Sequence, residues 1–251
     1  MNRPSPMFPA HAPRVSHSRR RGRQRLALSV LGAVALALAS GAPAQAQTWS
    51  GQGLSGSWAD LLNWQGTVRP VSSPTTAITF AGTRQTATQQ NLASPFVLNS
   101  MSFASGAGAF TVSGNALRFA GSSASLVQNS ATPVTLAVPI QFVDLLVVSG
   151  SGSVTFKGGL ASANADPAFR PRLVKRGSGR LTLTEPSSFQ GLVAIEQGQL
   201  RLEHALALQT ADVTLAVDNG LDLAGAASVT LGGLSGSGAL SLGATRLSVG
   251  A

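Results

Sequence analysis

Residues 173–202 read LVKRGSGRLTLTEPSSFQGLVAIEQGQLRL. The order is a glycine-marked turn, a strand alternating leucine with threonine, a Pro/Ser turn, a second strand, a glycine turn and a third strand. Side chains two apart share a face of a strand. Leu181 and Leu183 therefore face one way and Thr182 and Thr184 the other, and Leu200 and Leu202 repeat the arrangement against Arg201 and Glu203. Three short strands in this space leave no room for a helix.

The same style extends along the chain. A Gly-x-Gly-x-apolar-x-apolar unit begins at Gly106, Gly150, Gly177 and Gly236. The intervals fit one, two or three coils of about 20 to 30 residues, the range in which internal periods signal solenoids. Alternating runs lie between these units, at Leu117/Phe119, Leu136/Val138/Ile140/Phe142, Val213/Leu215/Val217, Leu221/Leu223, Val229/Leu231 and Leu247/Val249. One such coil cannot bury its own apolar face, so neighbours must stack and share an interior. Stacked at about 4.8 Å, about 8 to 10 coils would build a rod of roughly 40 to 50 Å. Each inward Leu, Val, Ile or Phe would contribute about 1.5 to 3 kcal/mol by burial. The predicted fold is all-β, a right-handed parallel β-helix or closely related β-solenoid.

Residues 173–202 also resemble the passenger-associated strand repeat of bacterial autotransporters. That pattern runs L-x-K-x-G-x-G-x-L-x-L and then, after a short spacer, [YF]-x-G-x-x-x-I-x-x-G-x-L-x-L. Leu173, Lys175, Gly177, Gly179, Leu181, Leu183, Phe189, Gly191, Ile195, Gly198, Leu200 and Leu202 match it in order. The resemblance implies a β-helical passenger on a Gram-negative cell surface, outer membrane or medium, whose repeat assists secretion and folding, with adhesion as a possible role. The partner it implies is an outer-membrane β-barrel translocator. A surface glycan or host ligand is a further candidate partner.

The net charge of +9 suggests a nucleic-acid binder until its placement is considered. Seven of the 18 basic residues precede Leu26, and the first acid is Asp60. Nucleic acid is therefore not an expected partner. Arg19 to Arg25 lead into an apolar run, Leu26 to Leu38, and then Ala44-Gln45-Ala46. This is the order of a secretory signal peptide, residues 1–46, with cleavage after Ala46 and a mature start at Gln47. The apolar run is shorter than the roughly 20 residues a spanning helix needs. A twin-arginine signal fits poorly, because Gly22 and Arg23 stand where it wants a large apolar residue. No transmembrane helix is expected in the mature chain. With no cysteine, stability must come from burial and backbone pairing.

Two segments follow the leader. Residues 47–100 hold all three tryptophans, Trp49, Trp58 and Trp64, and are read as an N-terminal cap with the first strands. Such a segment often follows the signal peptide in proteins with this strand repeat. The indoles serve either as packed cap or as an aromatic platform for sugar rings. Residues 101–251 form the passenger coils. The run Arg246-Leu247-Ser248-Val249-Gly250-Ala251 ends on an alternating, uncapped edge, which reads as a truncated sequence.

Catalysis has little to work with. His204 is the only histidine beyond the leader, in a turn sequence, and no nucleophile motif accompanies it. Ser151, Ser178 and Ser237 recur in GSG and read as turn residues. Asp218 and Asp222 form the closest acid pair, and a carbohydrate-active β-helix, lyase or glycan binder, is the alternative to a structural passenger. Asp218-Asn219-Gly220 is equally a turn. No metal-ligand cluster, phosphate loop or cofactor motif occurs, so no cofactor and no enzymatic activity are expected. Arg170, Arg172, Lys175, Arg176 and Arg180 form a basic cluster, either a patch for an anionic surface or a solvated corner.

Overall fold

The computed structural model describes residues 45–250 apart from 165, 167, 224 and 225, so the signal peptide expected over residues 1–46 lies outside the described residues save for Gln45 and Ala46. The chain winds into a β-solenoid of about 8 turns built from three parallel sheets. Sheet one has ten strands: Gln45–Trp49, Thr76–Phe80, Ser100–Phe103, Ser125–Gln128, Leu145–Ser149, Arg172–Lys175, Leu192–Ile195, Leu208–Leu215, Ser228–Gly236 and Arg246–Val249. Sheet two has seven: Ala87–Gln90, Thr111–Gly114, Val134–Leu136, Val154–Phe156, Arg180–Leu183, Gln199–Leu202 and Leu221–Asp222. Sheet three has four: Phe96–Leu98, Leu117–Phe119, Ile140–Phe142 and Leu160–Ser162.

Register turns the strand alternation into continuous rows. In sheet two, Val134, Val154, Leu181, Leu200 and Leu221 are successive partners, as are Val112, Leu136, Phe156, Leu183 and Leu202. All are buried, which places them in one shared core. The phase read from Leu181, Leu183, Leu200 and Leu202 is thus the observed one. Outside runs the row Thr111, Thr135, Thr155, Thr182, Arg201, Asp222. Thr182 was expected in water, yet it is only 8% exposed. Ladder neighbours stand about 4.8 Å apart, close enough for Thr155 and Arg201 to cover a small side chain between them.

The glycine units stack as their spacing requires. A Cβ on Gly177 would lie 2.4 Å from the Gly150 carbonyl oxygen, and one on Gly179 would lie 2.1 Å from that of Gly152. The fourth unit departs from expectation: residues 239–242 carry no strand. The strand it would extend, Leu221–Asp222, has two residues, and the coil has contracted so that Ser228 already pairs with Arg246.

Coils differ in how many sheets they carry. Ser100 pairs with Ser125 and Leu145 with Arg172, and these long coils carry all three sheets. Arg172 pairs with Leu192 and Leu192 with Asp212, only 20 residues on each time, and these coils lack a sheet-three strand. Side chains bond the third side instead. Ser187 Oγ donates to the Leu160 carbonyl at 2.7 Å, and Thr210 Oγ1 to that of Phe189 at 2.9 Å.

The N-terminal segment closes its end of the core. Trp49 and Trp58 each stand edge-on to Trp64, with centroids 5.0 and 5.7 Å apart, and Trp58 meets Phe96 at 5.5 Å. Asn63 holds the surrounding loop, accepting from the Gly53 N–H and donating to the carbonyls of Ser55 and Ser57. All three indoles are buried in the core, at 1% exposure or less, and present no face to a sugar ring. The geometry of edge-to-face pairs, not ligand access, is what these rings satisfy.

Candidate functional site

Corners are the demanding part of a solenoid, because turning the chain leaves backbone carbonyls and amides that no sheet ladder serves. Among the described residues, three long buried side chains serve them, beside shorter ones such as Ser130 and Ser187. Gln90 Nε2 donates to the carbonyls of Ala93, Asn115 and Ala116, while its Oε1 accepts from the amides of Leu92 and Ala93. Gln128 Nε2 donates to Thr132 O at 2.7 Å and its Oε1 accepts from Ser130 N at 3.0 Å. The third is Lys175.

Lys175 is 2% exposed and belongs to the inward row Met101, Leu126, Val148, Lys175, Ile195, Leu215. Its Nζ donates to the carbonyls of Arg176 at 2.8 Å, Gly177 at 2.7 Å and Gln197 at 3.2 Å. An ammonium has three donors and no acceptor, so three carbonyls satisfy it fully. Burial lowers its pKa from the ordinary 10.5 to about 8. The basic-cluster reading is corrected at this residue, which faces the core. Alternation held the signal: Lys175 lies two residues after Leu173 and so shares its face.

The rest of the cluster is largely engaged between coils. Arg170 Nη1 bridges to Asp212 at 2.8 Å and Arg176 Nε to Glu196 at 2.6 Å, while Arg180 Nε donates to Gln199 at 2.7 Å. The hydrogen bond from Arg176 holds the Glu196 carboxyl below the usual carboxylate range. Arg172 is exposed and adds its attraction at Glu196.

The residues weighed for chemistry have structural partners. His204 Nδ1 accepts from the Leu206 amide at 3.0 Å, fixing its own turn. Ser151, Ser178 and Ser237 sit exposed in turns, the first two on successive coils and the third three coils further on. Asp218 Oδ1 accepts from the Ala239 amide at 2.8 Å, which makes it a turn cap. Asp222 bridges to Arg201 at 3.0 Å, and Arg201 also bridges to Glu203 at 2.8 Å. Among the described residues no group of three or more His, Asp or Glu is placed to hold a metal ion, and no helix is long and apolar enough to cross a membrane. Where sheet two stops, an open cleft of 630 Å³ is lined by Gln199, Asn219, Leu221, Asp222, Ser241 and Thr245, among others.

No family model matches the chain, and comparisons with curated proteins and with solved structures found no match.

Proposed function

We propose that this chain is an exported structural solenoid, the β-helical passenger segment of an autotransporter-like surface protein, acting as a stalk that assists secretion and folding. The observation that carries this reading is the use made of residues 173–202. The apolar residues of the repeat pattern lie in the core, Gly177 and Gly179 fit under the turn above, and Lys175 bonds one corner to the next. A segment whose distinctive side chains are spent on stacking coils serves length and folding before it serves a ligand. Cleavage after Ala46 would leave Gln47, Thr48 and Trp49 paired with Ile78, Thr79 and Phe80, so the cap survives processing.

Expression of the whole chain in a Gram-negative host tests the reading. The processed protein should begin at Gln47 and leave the cytoplasm, and fused ahead of an outer-membrane barrel it should become accessible to added protease. Intact Met1 protein in the cytosol, or a fusion held in the periplasm, would refute it.

The cleft beside Asp222 favours one second reading, a secreted glycan-binding or glycan-cleaving module. Its amide, hydroxyl and carboxylate groups suit sugar hydroxyls, although the indoles that would stack on sugar rings are buried. A polysaccharide panel separates the two: the structural reading expects neither turnover nor tight binding.

A further inference from the structure

Lys175 is an expensive way to fill an inward position. Its ladder neighbours Val148 and Ile195 are apolar, and burying a charge is costly unless its partners are complete. Two of its three acceptors, Arg176 O and Gly177 O, come from its own turn. The third, Gln197 O, belongs to the next coil. The carboxylate nearest in sequence on the next coil, Glu196, is turned outward to Arg176, and the preceding strand, Leu145–Ser149, carries no charge. Arg172 and Arg176, on the lysine's own segment, are exposed. Only carbonyls serve this ammonium.

A second feature is fitted to it. Gly198, at φ +73°, lies where a Cβ would approach Lys175 Nζ to 2.8 Å and the Gly177 carbonyl oxygen to 2.3 Å. The next coil thus brings both the third acceptor and the gap that admits the ammonium. A coil stacked one residue out of step would move the gap away, and the coil after it presents Asp218 and Asn219, both with side chains, where Gly198 leaves room. Skipping is open to this chain, since the inward residues of successive strands, Leu173, Val193 and Val213, are nearly interchangeable.

We propose that Lys175 is the register key of the solenoid: its ammonium has both its three carbonyls and the room to reach them only when the coil carrying Gln197 and Gly198 stacks next to it in the native alignment, so that a mis-stacked coil crowds the cation off its acceptors. Replacing a buried ion by an apolar side chain of similar size often leaves stability unchanged or raised. Equilibrium stability is therefore the wrong readout, and alignment is the right one.

The chain has no cysteine, which makes introduced pairs clean reporters. Val174, Ala194 and Thr214 are successive partners in sheet one. Val174→Cys with Ala194→Cys reports native stacking. Val174→Cys with Thr214→Cys, two strand spacings or roughly 9.6 Å apart, lies beyond disulfide reach unless a coil is skipped. Each pair is unfolded, refolded at pH 7 and then oxidised. With Lys175 present, the 174–194 bond should form and the 174–214 bond should not. Adding Lys175→Met should raise the 174–214 yield at least fivefold. A folded Lys175→Met chain that gives only the 174–194 bond overturns the proposal.

A second measurement covers a variant that fails to fold. The chain with native Lys175 is refolded at pH 10.5, where the buried amine, whose pKa lies near 8, is neutral, and is returned to pH 8 for oxidation. The skipped bond should rise there too, and an unchanged yield overturns the proposal.

Discussion

The long coils before Ser162 and the short coils after Arg172 obey one strand pattern and solve different problems. The long coils enclose a wide, three-sided section and fill it with rings: Phe80, Phe96, Phe103, Phe110, Phe119, Phe142 and Phe156 are all buried there. Their buried corner groups are neutral amides, Gln90 and Gln128. The short coils enclose a narrower section, packed mainly with Leu, Val and Ile around Phe189, and their corner group is a cation. Among the described residues, every ion pair also lies in this second region, joining Arg170, Arg176 and Arg201 to acids in their own or later coils. The two regions thus differ in what fills them: rings and neutral amides before Ser162, aliphatic side chains and a cation after Arg172.

The comparison breaks hardest at the core of the short coils. Leu183→Asp would set an unpaired carboxylate between Phe156 and Leu202 and should cost about 4 kcal/mol or more, by the burial penalty for an unsatisfied charge. Thr182→Asp, on the outer row beside Arg201, should cost about 1 kcal/mol, a typical price for a tight surface site. Urea melts of the two variants check this. Equal losses would show that the inward phase is misassigned.

The next effect is a pH dependence confined to the short coils. Unfolded Lys175 takes its proton near 10.5 and folded Lys175 near 8, so between these values the unfolded chain binds more protons. Stability should be flat in this group below pH 8 and rise by about 3 kcal/mol toward 10.5, at roughly 1.4 kcal/mol per pH unit. Lys175→Met should remove that rise, while Gln128→Met in the long coils should leave it in place. Denaturant melts across pH 7 to 10.5 supply the measurement.

Glycine offers a finer comparison. Gly198→Ala forces a side chain onto a left-handed backbone against the Gly177 carbonyl and Lys175, and should cost about 2 kcal/mol. Gly243 has a similar backbone, φ +52°, but nothing within 4 Å, so Gly243→Ala should cost only about 1 kcal/mol. Thermal melts that rank the two the other way would remove the argument that Gly198 makes room for the ammonium. Smallest of all is Glu196→Gln, which removes an exposed, salt-screened pair. Its melting temperature should stay close to the parent's and be insensitive to added salt.

Most of the fold was legible because strand alternation and stacking are both periodic. Leu181, Leu183, Leu200 and Leu202 face inward as read, and the glycine units at Gly150 and Gly177 fall at matching turns. What was missed lies where periodicity and chemistry disagree. Lys175 has inward phase but a charge, and its charge suggested a surface. Gln90 and Gln128 share an inward phase with Thr88 and Leu126, and a neutral amide at such a place looks like an ordinary surface residue. The strand expected after Gly236 has the right alternation but too short a partner to extend. Sheet three's end was hidden as well, since residues 184–191 and 203–207 carry no alternating pattern that marks where the third side stops.

Hydrogen exchange tests the central claim, that residues 173–202 are spent on stacked, mutually paired coils, most directly. Amides in Arg180–Leu183, Leu192–Ile195 and Gln199–Leu202 should exchange slowly, held in ladders with neighbouring coils, and those in the strand-free stretch 240–242 should exchange quickly. Fast exchange across the strands within 180–202, or protection there no greater than at 240–242, would contradict the account.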